Sequence, residues 1–166
     1  ATTEIYTVLH TLSLHDALPI SPAHLQAYTD NLIRAMESGL FSFIAHPDMF
    51  SIGYTEWDEN TASCVRDICA ASIATGIPLE INAYGLRKPK ISTAAGLRYQ
   101  YPWKEFWSCA AGYGVEVVCN SDAHKPEDVA SGIQDCIALA KRLGLTVRDL
   151  SSALREDAHK VRCSIH

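Results

Sequence analysis

Val115-Glu-Val-Val-Cys119, followed at once by Asn120-Ser-Asp-Ala-His124, is the stretch on which the reading of the fold turns. Three valines in five residues favour an extended segment buried on both faces. The polar residues come only at its C-terminal edge. In extended chain, residues two apart point to the same side, so Asp122 and His124 face one way. A carboxylate and an imidazole so placed make a metal half-site.

Working back from this strand, the same pattern appears twice more. Pro78-Leu-Glu-Ile-Asn82 is an apolar run ending in Asn82, and Leu40-Phe-Ser-Phe-Ile-Ala45 is another, ending in His46-Pro47-Asp48. Helices separate them. Ser21-Pro22 forms an N-cap and first-turn pair, and Leu25, Tyr28, Leu32, Ile33 and Met36 recur at helical spacing up to Gly39. Residues 58–75 form a second helix with Val65, Ile68, Cys69, Ser72 and Ile73 inward. Residues 84–101 read as a long loop, and Pro102 opens a helix to about Gly112. Pro126 opens another, with Val129, Ile133, Ile137, Ala140 and Leu143 on one face. The segment from Thr146 is only weakly amphipathic.

Short apolar strands alternating with helices imply parallel pairing through right-handed crossovers. No GxGxxG follows a strand, which leaves a dinucleotide fold without support. A (β/α) barrel fits better, since barrel enzymes carry their chemistry just beyond the strands' C-terminal ends. Three such ends carry His46, Glu80 with Asn82, and Asp122 with His124. His46 would complete the half-site. Glu80 is open to two roles: a metal ligand, or a partner that holds Arg87 or a backbone amide. Asn82 could bind substrate or shape the turn. Arg87, in Tyr84-Gly-Leu-Arg-Lys88, offers a permanent, fork-shaped charge for a phosphate. Taken singly, a strand-end histidine or a loop arginine is commonly just structural.

Composition narrows the class. Hydrophobic residues are 48% of 166, enough for a packed core in one domain. A net charge of −5 and scattered Lys and Arg leave no basic stripe for nucleic acid. No apolar run nears the roughly 20 residues of a membrane helix, and no leader pattern is visible. Six cysteines form no CxxC pair, so they read as reduced thiols in a cytoplasmic protein.

Phe43-Ile-Ala-His-Pro-Asp48, Pro78-Leu-Glu-Ile-Asn-Ala-Tyr-Gly-Leu-Arg-Lys88, Tyr101-Pro-Trp103 and Asn120-Ser-Asp-Ala-His-Lys-Pro-Glu-Asp-Val129 resemble, in order and spacing, consecutive blocks of the histidinol-phosphate phosphatases of the PHP superfamily. The resemblance covers about residues 24–145. It implies a partial, distorted (β/α)7 barrel of the TIM-like PHP type over residues 22–145, a non-family segment at 1–21 and a C-terminal tail at 146–166. It further implies up to three divalent metals, Zn, Mn or Fe, with His46, Asp122 and His124 as ligands. Asp122 and His124 would also be catalytic, and Arg87, Asn82 and Glu80 would bind substrate. The implied reaction is hydrolysis of histidinol phosphate to histidinol and phosphate, in histidine biosynthesis, with a small phosphate ester as the partner and neither nucleic acid nor membrane.

The family's HxH motif, its bridging glutamate and two further histidines would precede residue 24, and none is recognisable there. His10, His15 and His24 read as non-ligands. Two rival expectations follow. One is a sister PHP phosphoesterase acting on nucleotides or nucleic-acid ends. The other is a catalytically inactive metal-binding fragment, which would hydrolyse histidinol phosphate very slowly or not at all.

Overall fold

The computed structural model describes residues 20–150. The expectations placed on residues 1–19 and 151–166 lie outside that range. Helix α1 is Pro22–Glu37, α2 is Glu59–Thr75, α3 is the single turn Tyr84–Arg87, α4 is Lys104–Tyr113 and α5 is Ile133–Leu143. Strands are β1 Leu79–Asn82, β2 Ile91–Thr93, β3 Gly96–Arg98, β4 Glu116–Asn120 and β5 Thr146–Val147.

Helix α1 starts as its sequence dictates. The Ser21 hydroxyl accepts the His24 N–H, and His24 Nδ1 reaches back to the Ser21 N–H, so two orphan donors are met reciprocally. Leu25, Tyr28, Leu32 and Met36 are buried. At α2 the Asp58 carboxylate accepts the Thr61 N–H at 2.9 Å. Val65, Ile68, Cys69 and Ser72 face inward, but Ile73 turns out and is 52% exposed. Ser72 takes the inward place because its hydroxyl donates to the Ile77 carbonyl.

Strands β1, β4 and β5 form one parallel sheet in that order, with Leu79 opposite Val117 and Glu116 opposite Thr146. On the far side of β1 the expected strand at 40–45 shrinks to one parallel bridge, Ile44 to Leu79. Leu40 and Phe41 are exposed, so this apolar run offers the sheet only Ile44. The order from Ile44 through β1 and β4 to β5 is thus sequential, and a segment expected to be tail supplies the last strand. Helix α1 packs on α2, α2 on α4, and α5 on β1 and β4. Among the described residues the sheet does not close into a barrel. Nor is any described helix long and apolar enough to cross a membrane.

The sheet has two unlike faces. Leu79, Ile81, Val117 and Cys119 join the core with Leu25, Ile68, Phe106 and Trp107. Alternation along the strands then sends Glu80, Asn82 and Asn120 to the opposite face. Residues 84–101 are more ordered than a loop: they contain α3 and the antiparallel hairpin β2–β3. Gly85, within α3, lies so close to Tyr101 that an added Cβ would strike the Tyr101 carbonyl and ring. Pro126 opens only a short 3-10 turn, and α5 begins seven residues later, which leaves Val129 69% exposed.

Candidate functional site

Glu80 is the centre of the polar face. It is 4% exposed, and a carboxylate so buried demands hydrogen-bond donors. It has three. Oε2 accepts the His46 main-chain N–H at 2.9 Å and Asn82 Nδ2 at 3.0 Å, while Oε1 accepts Asn120 Nδ2 at 2.9 Å. Of the two roles left open by the sequence, the structure contains the second, a carboxylate that holds a backbone amide. Asn82 continues the chain of bonds, donating to Asp122 Oδ2 at 3.1 Å and accepting the Tyr84 N–H at 2.8 Å. It therefore shapes the turn after β1 as well as facing Asp122.

The His46-Pro47-Asp48 segment is pinned from three sides. Besides Glu80, the Tyr28 hydroxyl donates to the Pro47 carbonyl at 3.1 Å. Asp48 is fully buried, and its Oδ2 accepts the Trp103 N–H at 2.6 Å and the Trp107 indole N–H at 2.9 Å. Burial pushes the Asp48 carboxyl up to about 6, against the pull of those two donors and with the help of the Glu80 charge. His46 Nδ1 and Asp48 Oδ1 are buried without a hydrogen-bond partner.

His46 and Asp122 share an uncommon backbone state. Their φ values are 32° and 48°, the left-handed region that few non-glycine residues occupy. Such conformations cost on the order of 1–3 kcal/mol and gather where a side chain must be aimed. At the β4 edge, His124 Nδ1 lies 2.9 Å from the Asp122 carbonyl oxygen and 3.8 Å from Asp122 Oδ1. A carbonyl can only accept, so this contact needs a proton on Nδ1. The His124 ring stacks on Tyr84, with centroids 4.4 Å apart.

Arg87 lies beneath the same loop. It donates to the carbonyls of Ser121 at 2.8 Å, Asp122 at 3.3 Å and Ser131 at 3.1 Å, and its Nε is 3.7 Å from Asp128 Oδ1. Lys88 lies over two rings, 4.8 Å from the centroid of Tyr84 and 5.4 Å from that of Tyr101. Tyr101 in turn neighbours His46, with ring centroids 6.2 Å apart.

The structure thus brings Asp122 and His124 together directly. His46 is tied to them through Glu80 and then Asn82, and by its main-chain N–H rather than its ring. Among the described residues no three His, Cys, Asp or Glu side chains gather into a group that could hold a metal ion. Their donor types suit a divalent metal, but as placed they do not make up a complete site. Sequence reasoning gave no role to Asn120, Tyr84, Lys88 or Tyr101. A signal existed for Asn120, which ends its strand opposite Asn82.

No family model matches the chain. A protein of Deinococcus radiodurans described as a probable histidinol-phosphatase is 31% identical over 111 residues, or 66% of this chain. The match takes in 39% of that protein, so the chain spans about two fifths of the length of the relative it is similar to.

Proposed function

We propose that the protein of which this chain is part is a phosphoesterase that hydrolyses a small phosphate monoester, histidinol phosphate to histidinol and phosphate. The observation that carries this reading is the hydrogen-bonded line from His46 through Glu80 and Asn82 to Asp122. It links the C-terminal ends of β1 and β4 to the segment after the Ile44 bridge, and two of its members have left-handed backbones. The likeness to a probable histidinol-phosphatase supports the choice of reaction and substrate. The sequential order of parallel strands supports a sheet that continues into a PHP-type barrel in the intact protein.

Divalent metals, Zn, Mn or Fe, belong to the proposal, with His46, Asp122 and His124 as three of their ligands and further donors from outside the described residues. When bound, they would supply hydroxide near neutral pH and neutralise phosphoryl charge. The chain's own residues do the rest. Asp122 and His124 stand at the reacting face, where a proton can pass to the leaving alkoxide. Arg87 holds their loop and adds permanent positive charge beneath it, and Asn82 and Glu80 fix the floor. The reading places the protein in histidine biosynthesis in the cytoplasm.

The test is a substrate panel on the intact protein, with and without a chelator. Histidinol phosphate should be the preferred monoester, and chelation should remove turnover until Zn, Mn or Fe is restored. Preference for a nucleotide, or turnover unaffected by chelation, would overturn the reading.

A further inference from the structure

Two cations flank the Asp122–His124 pair, and the fold treats them differently. Arg87 is held by three main-chain carbonyls and Asp128. Lys88 is half-buried and, among the described residues, its ammonium has neither a hydrogen-bond acceptor nor a carboxylate within ion-pair distance. Its ammonium rests only on the rings of Tyr84 and Tyr101. Burial lowers its pKa from the usual lysine value, and the Asp122 charge works against that. Ring faces attract a cation but satisfy none of its three N–H donors. A lysine that only covers rings with its stem keeps its ammonium in water, whereas here the ammonium itself is over both rings. Tyr84 stacks on His124 and Tyr101 neighbours His46, so Lys88 lies between the partners of the two site histidines.

We propose that the Lys88 ammonium, bedded on Tyr84 and Tyr101, takes the phosphoryl oxygens of a phosphate monoester at this site. The inference rests on the phosphoesterase reading and deepens it. A phosphate dianion offers acceptors that replace the solvent Lys88 has lost, in charge-assisted bonds. Arg87 then acts from below as a positioning residue, fixing the loop that carries Asp122.

The experiment titrates this chain with inorganic phosphate and follows the ring resonances of Tyr84 and His124 by NMR. A saturable shift is expected. Lys88→Gln should weaken binding about tenfold or more, the size of one charge-assisted hydrogen bond, and Lys88→Arg should keep most of it. Lys90→Gln is the matched control, because the Lys90 ammonium also rests on a ring, that of Tyr99, at 4.7 Å. It should change affinity less than about twofold, as expected for a surface charge. Unchanged binding in Lys88→Gln, equal loss in the two glutamine variants, or no saturable binding by the wild-type chain each overturns the proposal. None of these readings needs turnover, so failure of the substrate panel is a separate result.

Discussion

The carboxylate of Glu80 accepts the main-chain N–H of His46 at 2.9 Å, although the two residues are 34 positions apart. The same carboxylate takes side-chain amides from Asn82 on its own strand and Asn120 on β4. One buried anion therefore sets the relative placement of the ends of β1 and β4 and the segment after the Ile44 bridge. Its cost is offset only while all three donors stay in place.

Replacing Glu80 separates charge from geometry. Glu80→Ala leaves the His46 N–H and two amides without their acceptor. It should cost roughly 3 kcal/mol or more, at about 1 kcal/mol or above for each unsatisfied donor. Glu80→Gln keeps one oxygen for His46 and Asn82, and Asn120 can turn its amide to accept from the new NH2. It should cost about 1 kcal/mol. Urea denaturation measures both. An alanine variant as stable as the glutamine variant would mean that this tie contributes nothing.

Asp58 gives a pH signature outside the site. Burial works to raise its pKa, but the Tyr54 hydroxyl, the Thr61 N–H, Asn60 and the Thr61 hydroxyl together hold it at about 2, against 3.8 for a free aspartate. The folded state thus favours the carboxylate. The stability it contributes is present above about pH 4 and is lost as pH falls through about 2. Because the group is only half-buried, solvent screening keeps the effect small. Asp58→Asn retains a capping oxygen and should remove this part of the acid dependence while leaving stability at pH 7 within about 1 kcal/mol. Parallel stability curves for the two proteins between pH 5 and 2 would sink the assignment.

How much of this was legible in the sequence depends on range. The α1 start at Ser21-Pro22, the strands at Leu79–Asn82 and Glu116–Asn120, and the parallel layout could be read from local caps and valine-rich runs. The run at 40–45 misled because apolarity alone does not make a strand; only Ile44 meets β1. The β2–β3 hairpin was hidden because its turn, Ala94-Ala95, carries no glycine or asparagine signal. The Glu80 cluster joins residues 34 and 40 apart, and no local pattern encodes such a contact. Nothing in the sequence sets Lys88 apart from Arg87 beside it, because the two cations differ only in what the fold gives them to bind.

Gly85 tests whether α3 must lie against Tyr101. A Cβ at this position would collide with the Tyr101 carbonyl and ring, and backbone atoms cannot give way as a side-chain tip can. Gly85→Ala should destabilise the fold by about 1–3 kcal/mol, the usual range for overpacking. It should also move Tyr101 from beneath Lys88, so phosphate affinity should fall even where the variant is folded. A variant with wild-type stability and wild-type phosphate binding would show that α3 and Tyr101 can part freely.

Under the proposed phosphoesterase reading, Arg87 distinguishes positioning from direct contact. Its guanidinium joins Ser121, Asp122 and Ser131 through three carbonyls, so Arg87→Ala should loosen the loop and remove positive charge together. Catalytic efficiency on a phosphate monoester should fall about 100-fold or more, near 3 kcal/mol of transition-state stabilisation. Arg87→Lys should recover only part, because a single ammonium cannot span three carbonyls as the planar fork does. Metal content should stay unchanged in both, whereas His124→Ala should lower metal occupancy itself. The division between kcat and KM carries the distinction. Loss at Arg87 should fall mainly on kcat, as expected when reacting groups are misplaced, and loss at Lys88 mainly on KM. If Arg87→Ala keeps full activity, the loop holds its shape without the arginine and the charge needed at the phosphate comes from elsewhere.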